Sequence, residues 1–269
     1  MRINNNISSM HTQGALFQNN RAVGKDLEKL STGFRINRAS DDAAGLAVSE
    51  GLRTQVRGQT MAKRNALDGI SALNIAEGAM NEIHAIMQRQ RELAVQSSNA
   101  TYTSTERAYM DAEFQALTSE ITRIVNVTNF NGIKLLTDDS AFIEDHLQVD
   151  ANNEDDDRIQ ITYESVEDVT GNVTDQTSAR AAIDELDGLI EDLSESRSSI
   201  GALVNRLEST INNLTVSITN QQAAESQIRD VDFANQASRF TTNQILTQSA
   251  TSMLAQANAS TQGVLSLLR

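Results

Sequence analysis

IDELDGLIEDLSESRSSIGALVNRLESTINNLTVSI, residues 183–218, places apolar side chains at Ile183, Leu186, Ile190, Leu193, Ile200, Val204, Leu207, Ile211, Leu214 and Ile218. The steps are 3, 4, 3, 7, 4, 3, 4, 3 and 4, with Arg197 standing where one further apolar residue is due. A seam kept over five heptads marks a long helix packed along its length against other helices. A stripe this narrow is not stable alone in water, because most helical stability comes from burying it. The fold is therefore decided by where the partners of this helix lie.

Composition narrows the search. A hydrophobic fraction of 39% with only 4% aromatics suits thin Leu/Ile/Ala helix packing better than a broad globular core. The chain has no proline, where about a dozen are expected at this length. Its helices are therefore free to run long and unkinked. The formal net charge of −14 argues against a nucleic-acid partner, which needs a basic face. With no cysteine, disulfides and thiolate metal sites are excluded. No run of 18 apolar residues exists to cross a membrane, and MRINNNISSMHTQ at the start has no apolar signal-peptide core.

Outward from 183–218, a second seam runs through Ile3, Ile7, Met10, Gly14, Phe17, Val23, Leu27, Leu30 and Phe34. It predicts a helix about 50 Å long over residues 3–34, ending near Ser31-Thr32-Gly33. RINRASDDAAGL (35–46) reads as a connector whose Ser40, Asp41 and Asp42 cap the next helix. That helix covers 43–100 through Leu46, Leu52, Val56, Leu67, Ile70, Leu73, Met80, Ile83 and Met87. After the polar break at 101–105, a fourth helix over about 105–127 carries Met110, Phe114, Leu117, Ile121 and Ile124, and NFNG (129–132) stops it with turn chemistry.

In the middle the period changes to two. HLQV (146–149) and RIQITY (158–163) alternate, with Ile159, Ile161 and Tyr163 on one side and the acidic DANNEDDD (150–157) between. A β-hairpin with an acidic tip follows. GNVTDQTS (171–178) is loop, and NQQAAESQ (220–227) reads as a polar break. The last helix has its seam at Phe240, Leu246, Ala250, Met253, Ala257, Val264 and Leu267. The expected fold is mainly α: a long coiled-coil-like helical bundle with nested N- and C-terminal helices and a small β-hairpin region near 140–175.

Catalytic chemistry is not legible. His11, His84 and His146 fall on different elements with no metal-ligand spacing, and no phosphate loop or nucleophile elbow is present. Asp150, Asn152 and Glu154 echo a calcium loop, but Asp155 and Ile161 stand where its glycine and closing glutamate belong. A solvated acidic turn is the better reading. Arg53, Arg57, Lys63 and Arg64 form the main basic cluster, open to salt bridging within the chain or to contact with another subunit. The two terminal seams are apolar yet thin, and rich in Ala and Gln, which points to a self-associating structural protein.

At this point the residues resemble bacterial flagellin. SSMHTQGALFQNNRAVGKDLEKLSTGFRINRASDDAAGLAVSEGLRTQVRG (8–58) is similar to the family's N-terminal signature, and LAQANASTQGVLSLLR (254–269) to its C-terminal end. QRQRELAVQSSN (88–99) and FNGIKLL (130–136) match the segments between. The resemblance implies a subunit that self-polymerises into the helical flagellar filament used for motility, with terminal helices that drive assembly and line the export channel. It assigns 1–45 plus 220–269 to paired inner-core helices and 46–219 to an outer-core bundle, here without large central surface domains. It implies no enzyme activity, catalytic residue, cofactor, metal, nucleic acid or membrane. Its partners are copies of itself, an export chaperone, and the filament cap and hook–filament junction proteins. The expected location is the flagellum, outside the cell or periplasmic, reached without a cleaved signal peptide. The family's motif for the flagellin-sensing Toll-like receptor falls on Gln88, Arg89, Glu92, Leu93, Gln96 and Glu113, and the same patch would pack subunits. A basic position the family often has nearby is Leu117 here. A hook–filament junction protein shares the terminal helices, and a cytoplasmic coiled-coil signalling rod shares the seams; likeness at both ends favours the filament subunit.

Overall fold

The computed structural model describes residues 5–137, 140, 142–143, 145–167 and 169–267, with the side chains of the last helix described to Ser260. Its helices are α1 (Ile7–Thr32), α2 (Ala43–Ser97), α3 (Ser104–Val127), α4 (Gln176–Arg229) and α5 (Phe233–Leu267). The strands β1 (Asn129–Phe130), β2 (Ile133–Lys134), β3 (His146–Gln148) and β4 (Arg158–Gln160) form two antiparallel pairs, β1 with β2 and β3 with β4. The mainly helical expectation holds, with two differences. NQQAAESQ continues α4 to Arg229, since its Gln, Ala and Glu are good helix formers and polarity alone breaks no helix. The turn at Asn131-Gly132, where φ is 51° and 83°, joins a short hairpin rather than merely stopping α3.

The chain divides into two compact units, residues 1–54 with 220–269, and residues 55–219. In the second unit, α2 buries Val56, Gln59, Ala62, Ala66, Gly69, Leu73, Ala76, Met80, Ile83, Met87, Gln90, Ala94 and Ser97 at steps of 3 and 4. Opposite it, α4 buries Ala182, Leu186, Leu193, Ser196, Ile200, Leu203, Leu207 and Leu214, close to the seam read from sequence. Phe114 of α3 is fully buried in the same core. The capping box of Thr103 and Glu106 starts α3, and Asp175 accepts the Thr177 and Ser178 N–H groups to start α4.

The break in the α4 seam at Arg197 has a cause. Ser196 is buried there, and its hydroxyl accepts the Glu164 N–H at 3.2 Å and donates to the Glu164 carbonyl at 3.3 Å. A large apolar residue in that gap would displace the extended segment beyond β4. The segment is anchored further along: the Tyr163 hydroxyl donates to the Leu135 carbonyl at 2.6 Å, and the Val173 carbonyl accepts from Ser97 at 2.6 Å. As the alternation predicts, Ile159, Ile161 and Tyr163 are all buried.

Two glycines let the β3–β4 hairpin lie on α2. A Cβ on Gly58 would stand 2.6 Å from the Ala151 Cβ, and one on Gly69 would stand 2.5 Å from Leu147 Cδ1. They are eleven residues apart, about three helical turns, so they share a face.

Candidate functional site

The first unit is built on the pairing of α1 with α5. Asn6 accepts the Ser9 N–H to start α1, and Gly33, at φ 75°, ends it in the left-handed conformation. The chain then crosses Asp230 in a β-bridge from Phe34, with Val231 N–H donating to the Gly33 carbonyl at 2.9 Å and Arg35 N–H to the Arg229 carbonyl at 2.7 Å. Arg229 lies over the Phe34 ring at 4.6 Å and pairs with Glu50 at 2.9 Å, while Arg53 pairs with Glu225 at 2.8 Å. Of the basic cluster, Arg53 is thus spent within the chain, and Lys63 donates to Thr215 Oγ1 at 3.0 Å.

From this base the two helices run antiparallel, Asn6 Nδ2 reaching the Ala257 carbonyl at 3.0 Å at the far end. The packed face of α1 is Asn6, Ser9, Thr12, Leu16, Asn19, Val23, Asp26 and Leu30. On α5 it is Gln236, Phe240, Asn243, Thr247, Ala250, Leu254 and Ala257. Much of this face is polar and held by side-chain hydrogen bonds. Asp26 accepts from Gln236 Nε2 at 2.6 Å and from Asn243 Nδ2 at 2.7 Å, and Ser9 Oγ donates to Asn258 Oδ1 at 3.0 Å.

The residues of the expected terminal seam fall on two different faces of the pair. Val23, Leu30, Phe240 and Ala257 lie on the packed face, but Ile7, Met10, Phe17, Leu27, Leu246 and Met253 are each one residue off it and are 46% to 67% exposed. An apolar stripe in a sequence reports which face wants covering, not which partner covers it. Ile3 lies outside the described residues, as do the side chains of Val264 and Leu267. The offset is +1 on α1 and −1 on α5, about 100° of turn on each helix. Because antiparallel helices advance in opposite senses, the two stripes fall on opposite flanks of the pair. Each is a run of exposed large apolar side chains, with Arg21 over the Phe17 ring at 6.0 Å.

The second candidate patch lies on α2 and α3. Gln88, Arg89, Glu92, Gln96 and Glu113 are exposed. Arg89 pairs with Glu113 at 2.9 Å and Glu92 at 3.0 Å, and these hydrogen bonds, Glu113 foremost, raise the guanidinium pKa above its ordinary value. Gln96 Nε2 donates to the Tyr102 hydroxyl at 3.1 Å, and Gln88 contacts the His84 ring at 2.9 Å. Leu93 is different: at 2% exposure it belongs to the core and presents no surface to a partner. Its place at heptad spacing beside Ala94 is the signal that separates it from the other five. Among the described residues no cluster of His, Cys, Asp or Glu is set to hold a metal, and no helix is long and apolar enough to cross a membrane.

Comparison with known proteins identifies what this arrangement resembles. Residues 3–141 match the bacterial flagellin N-terminal helical region, and residues 183–268 the bacterial flagellin C-terminal helical region. Over all of both chains the sequence is 47% identical to a flagellin of Halalkalibacterium halodurans and 42% identical to one of Bacillus subtilis. It is 43% identical, again over both whole chains, to the flagellar filament 33 kDa core protein of Treponema phagedenis. The crystal structure of Bacillus cereus flagellin superposes with a TM-score of 0.50 at 29% identity, covering 60% of this chain and 94% of that one. A putative flagellar hook-associated protein of Vibrio parahaemolyticus gives a TM-score of 0.58 over 71% of this chain and all of that one, but at 14% identity this shows the fold alone.

Proposed function

Since the chain belongs to the bacterial flagellin family and is a structural subunit of the flagellar filament, we propose that its α1–α5 pair is the assembly device, each copy offering one apolar flank to the copy beside it. The observation that carries this is the inversion of the pair: polar groups are packed between the helices while Ile7, Met10, Phe17, Leu246 and Met253 face outward. Exposed apolar stripes on two opposite flanks suit a head-to-tail contact, which repeats without closing and so builds a polymer. On this reading residues 1–45 and 220–269 belong to the inner layer of the filament that lines the channel, and residues 46–219 to the outer one. The chain travels through the flagellum's own export channel, attended by an export chaperone, and takes its place beyond the hook–filament junction proteins beneath the filament cap. Family membership supports these steps.

The exposed patch at Gln88, Arg89, Glu92, Gln96 and Glu113 is a surface for packing between subunits, and in the free chain the surface that the flagellin-sensing Toll-like receptor of a host would meet. Its support is geometric, since five of the six motif residues share one exposed face held by the Arg89 ion pairs.

The test is seeded growth followed by electron microscopy. The full chain is expected to extend short filament fragments, and chains lacking residues 1–40 or 231–269 are expected to stay soluble. Unimpaired growth of either truncation would overturn the assembly role of the pair.

A further inference from the structure

We propose that Arg57, Met61 and Arg64 of α2 dock on Asp184, Gly188 and Glu191 of α4 in a second copy of the chain. This rests on the filament-subunit reading and names a contact within it. All six residues belong to the unit spanning 55–219, so the contact does not depend on α1 or α5.

Along this stretch α2 has three faces. Gln59 and Lys63 meet α4 through Ser217 and Thr215. Gly58, Asn65 and Gly69 meet the β3–β4 hairpin through Ala151, Gln148 and Leu147. At about 100° per residue, Arg57, Met61 and Arg64 fall on the face turned from both. All three are exposed, Met61 at 52%. Among the described residues neither arginine has an ion pair. Arg64 lies against the Met61 sulfur at 3.9 Å rather than on Asp68, four residues further along the helix. A chain of net charge −14 has carboxylates in excess, so two arginines left without one are available to another copy.

The outward face of α4 repeats the pattern with opposite charge. Asp184, Gly188 and Glu191 recur at steps of 4 and 3, as Arg57, Met61 and Arg64 do, and among the described residues neither carboxylate has an ion pair. A glycine inside a helix weakens it, and a Cβ on Gly188 would meet nothing within 4 Å, so nothing in this chain uses the space. Gly51, Gly78 and Gly201 are as open, but none has charged residues both four before it and three after it. With the two helices antiparallel, Met61 lies on Gly188, Arg57 faces Glu191 and Arg64 faces Asp184. The charges on each helix are about 10 Å apart, so both bridges close together.

The two surfaces cannot meet within one chain. Lys63 on Thr215 and Arg91 on Asp187 hold α2 and α4 in register, which sets Gly188 beside Arg91. Arg91 is thirty residues along α2 from Met61, or roughly 45 Å. A copy displaced by about that distance brings the surfaces together and leaves one free at each end, a head-to-tail contact that repeats without closing.

The experiment is seeded growth of two charge-swapped full chains, one with Arg57→Glu and Arg64→Glu, the other with Asp184→Arg and Glu191→Arg. Each alone sets like charges against each other at the contact and is expected to grow about tenfold more slowly than the parent, or worse. An equimolar mixture of the two is expected to grow, because the acidic face of one copy then meets the basic face of the other. A single chain with all four changes is expected to grow as well. Damage confined to one chain is not repaired by mixing, so recovery of the mixture reads the contact itself. Gly188→Ala is expected to raise the Tm of the soluble chain, since a helix-interior glycine becomes alanine, yet to slow growth by filling the space Met61 enters. Neutral changes give a second reading that spares the fold. Arg64→Gln and Asp184→Asn are each expected to slow growth, and together to slow it no more than either alone, since both remove one bridge. A swapped chain that grows at the parent rate, a mixture that does not recover, parent-rate growth of Gly188→Ala, or additive neutral changes would each overturn the proposal. A parent that fails to extend seeds sinks the filament reading and this contact with it. A parent that grows beside a mixture that does not sinks the contact alone.

Discussion

Replacing Gly58 and Gly78 by alanine, one at a time, separates contact from propensity within a single helix. Both lie inside α2, so each Gly→Ala change gains the same intrinsic helix preference, about 1 kcal/mol. At Gly78 nothing lies within 4 Å of the new methyl, and the whole gain is expected to appear. For a unit spanning residues 55–219, that corresponds to a rise in Tm of about 2–4 °C. At Gly58 the methyl would stand 2.6 Å from the Ala151 Cβ and 3.2 Å from its Cα. Because part of that obstacle is backbone, the hairpin must lift, and overpacking of this kind costs about 1–3 kcal/mol. The net is then between zero and about 2 kcal/mol of lost stability, opposite in sign to Gly78. Gly69→Ala falls between the two, since only the Leu147 side chain stands in the way. Thermal and urea unfolding of the soluble chain, followed by far-UV circular dichroism, measures all three. If Gly58→Ala stabilises as much as Gly78→Ala, the hairpin does not rest on α2 and the packing described for it is wrong.

Three further outcomes follow from other parts of the molecule. Leu93→Ala is expected to cost about 2–5 kcal/mol in urea unfolding, whereas Arg89→Ala leaves the midpoint nearly unmoved; equal effects would contradict the core and surface placements. Ser196→Leu puts a large apolar residue at the buried position beside Arg197 yet is expected to destabilise, because it evicts the backbone of Glu164; a higher Tm would refute the explanation for the seam's gap. The Asp175 carboxyl is held below its ordinary range by the Ser178 N–H, Glu106 by the Thr103 N–H, and Asp187 by the Arg91 guanidinium. A depressed folded pKa contributes stability that is present above the unfolded carboxylate range, about 4, and is lost as pH falls through the folded value. Urea midpoints are therefore expected to decline from pH 5 downward, and Asp175→Asn to flatten part of that decline; an unchanged slope would remove the cap from the account.

How much of this was legible in the sequence depends on what each signal measures. Heptad spacing located every long helix, because periodicity survives whatever covers the stripe. It could not distinguish α1 packing through Asp26 from packing through Leu27, since an apolar stripe reserved for another molecule looks the same as one buried at home. The β3–β4 hairpin was visible through alternation at Ile159, Ile161 and Tyr163, whereas β1 and β2, two residues each, are too short to carry any period. For the patch on α2, the motif grouped Leu93 with its exposed neighbours, although its heptad spacing beside Ala94 marks it as part of the core. The Asp26 clamp left no motif, because its three members are joined by the fold and lie up to 217 residues apart in the chain.

The burial of Tyr163 has an optical consequence. The chain has three tyrosines and no tryptophan, so its intrinsic emission is tyrosine light alone. Tyr109 is 73% exposed, while Tyr163 sits in the core with its hydroxyl on the Leu135 carbonyl, an arrangement that quenches phenol fluorescence. Loosening of residues 55–219 therefore brightens the protein with no label attached. The terminal pair carries no tyrosine, so it can rearrange in the dark, and growing filaments can be watched for damage to one unit without interference from the other.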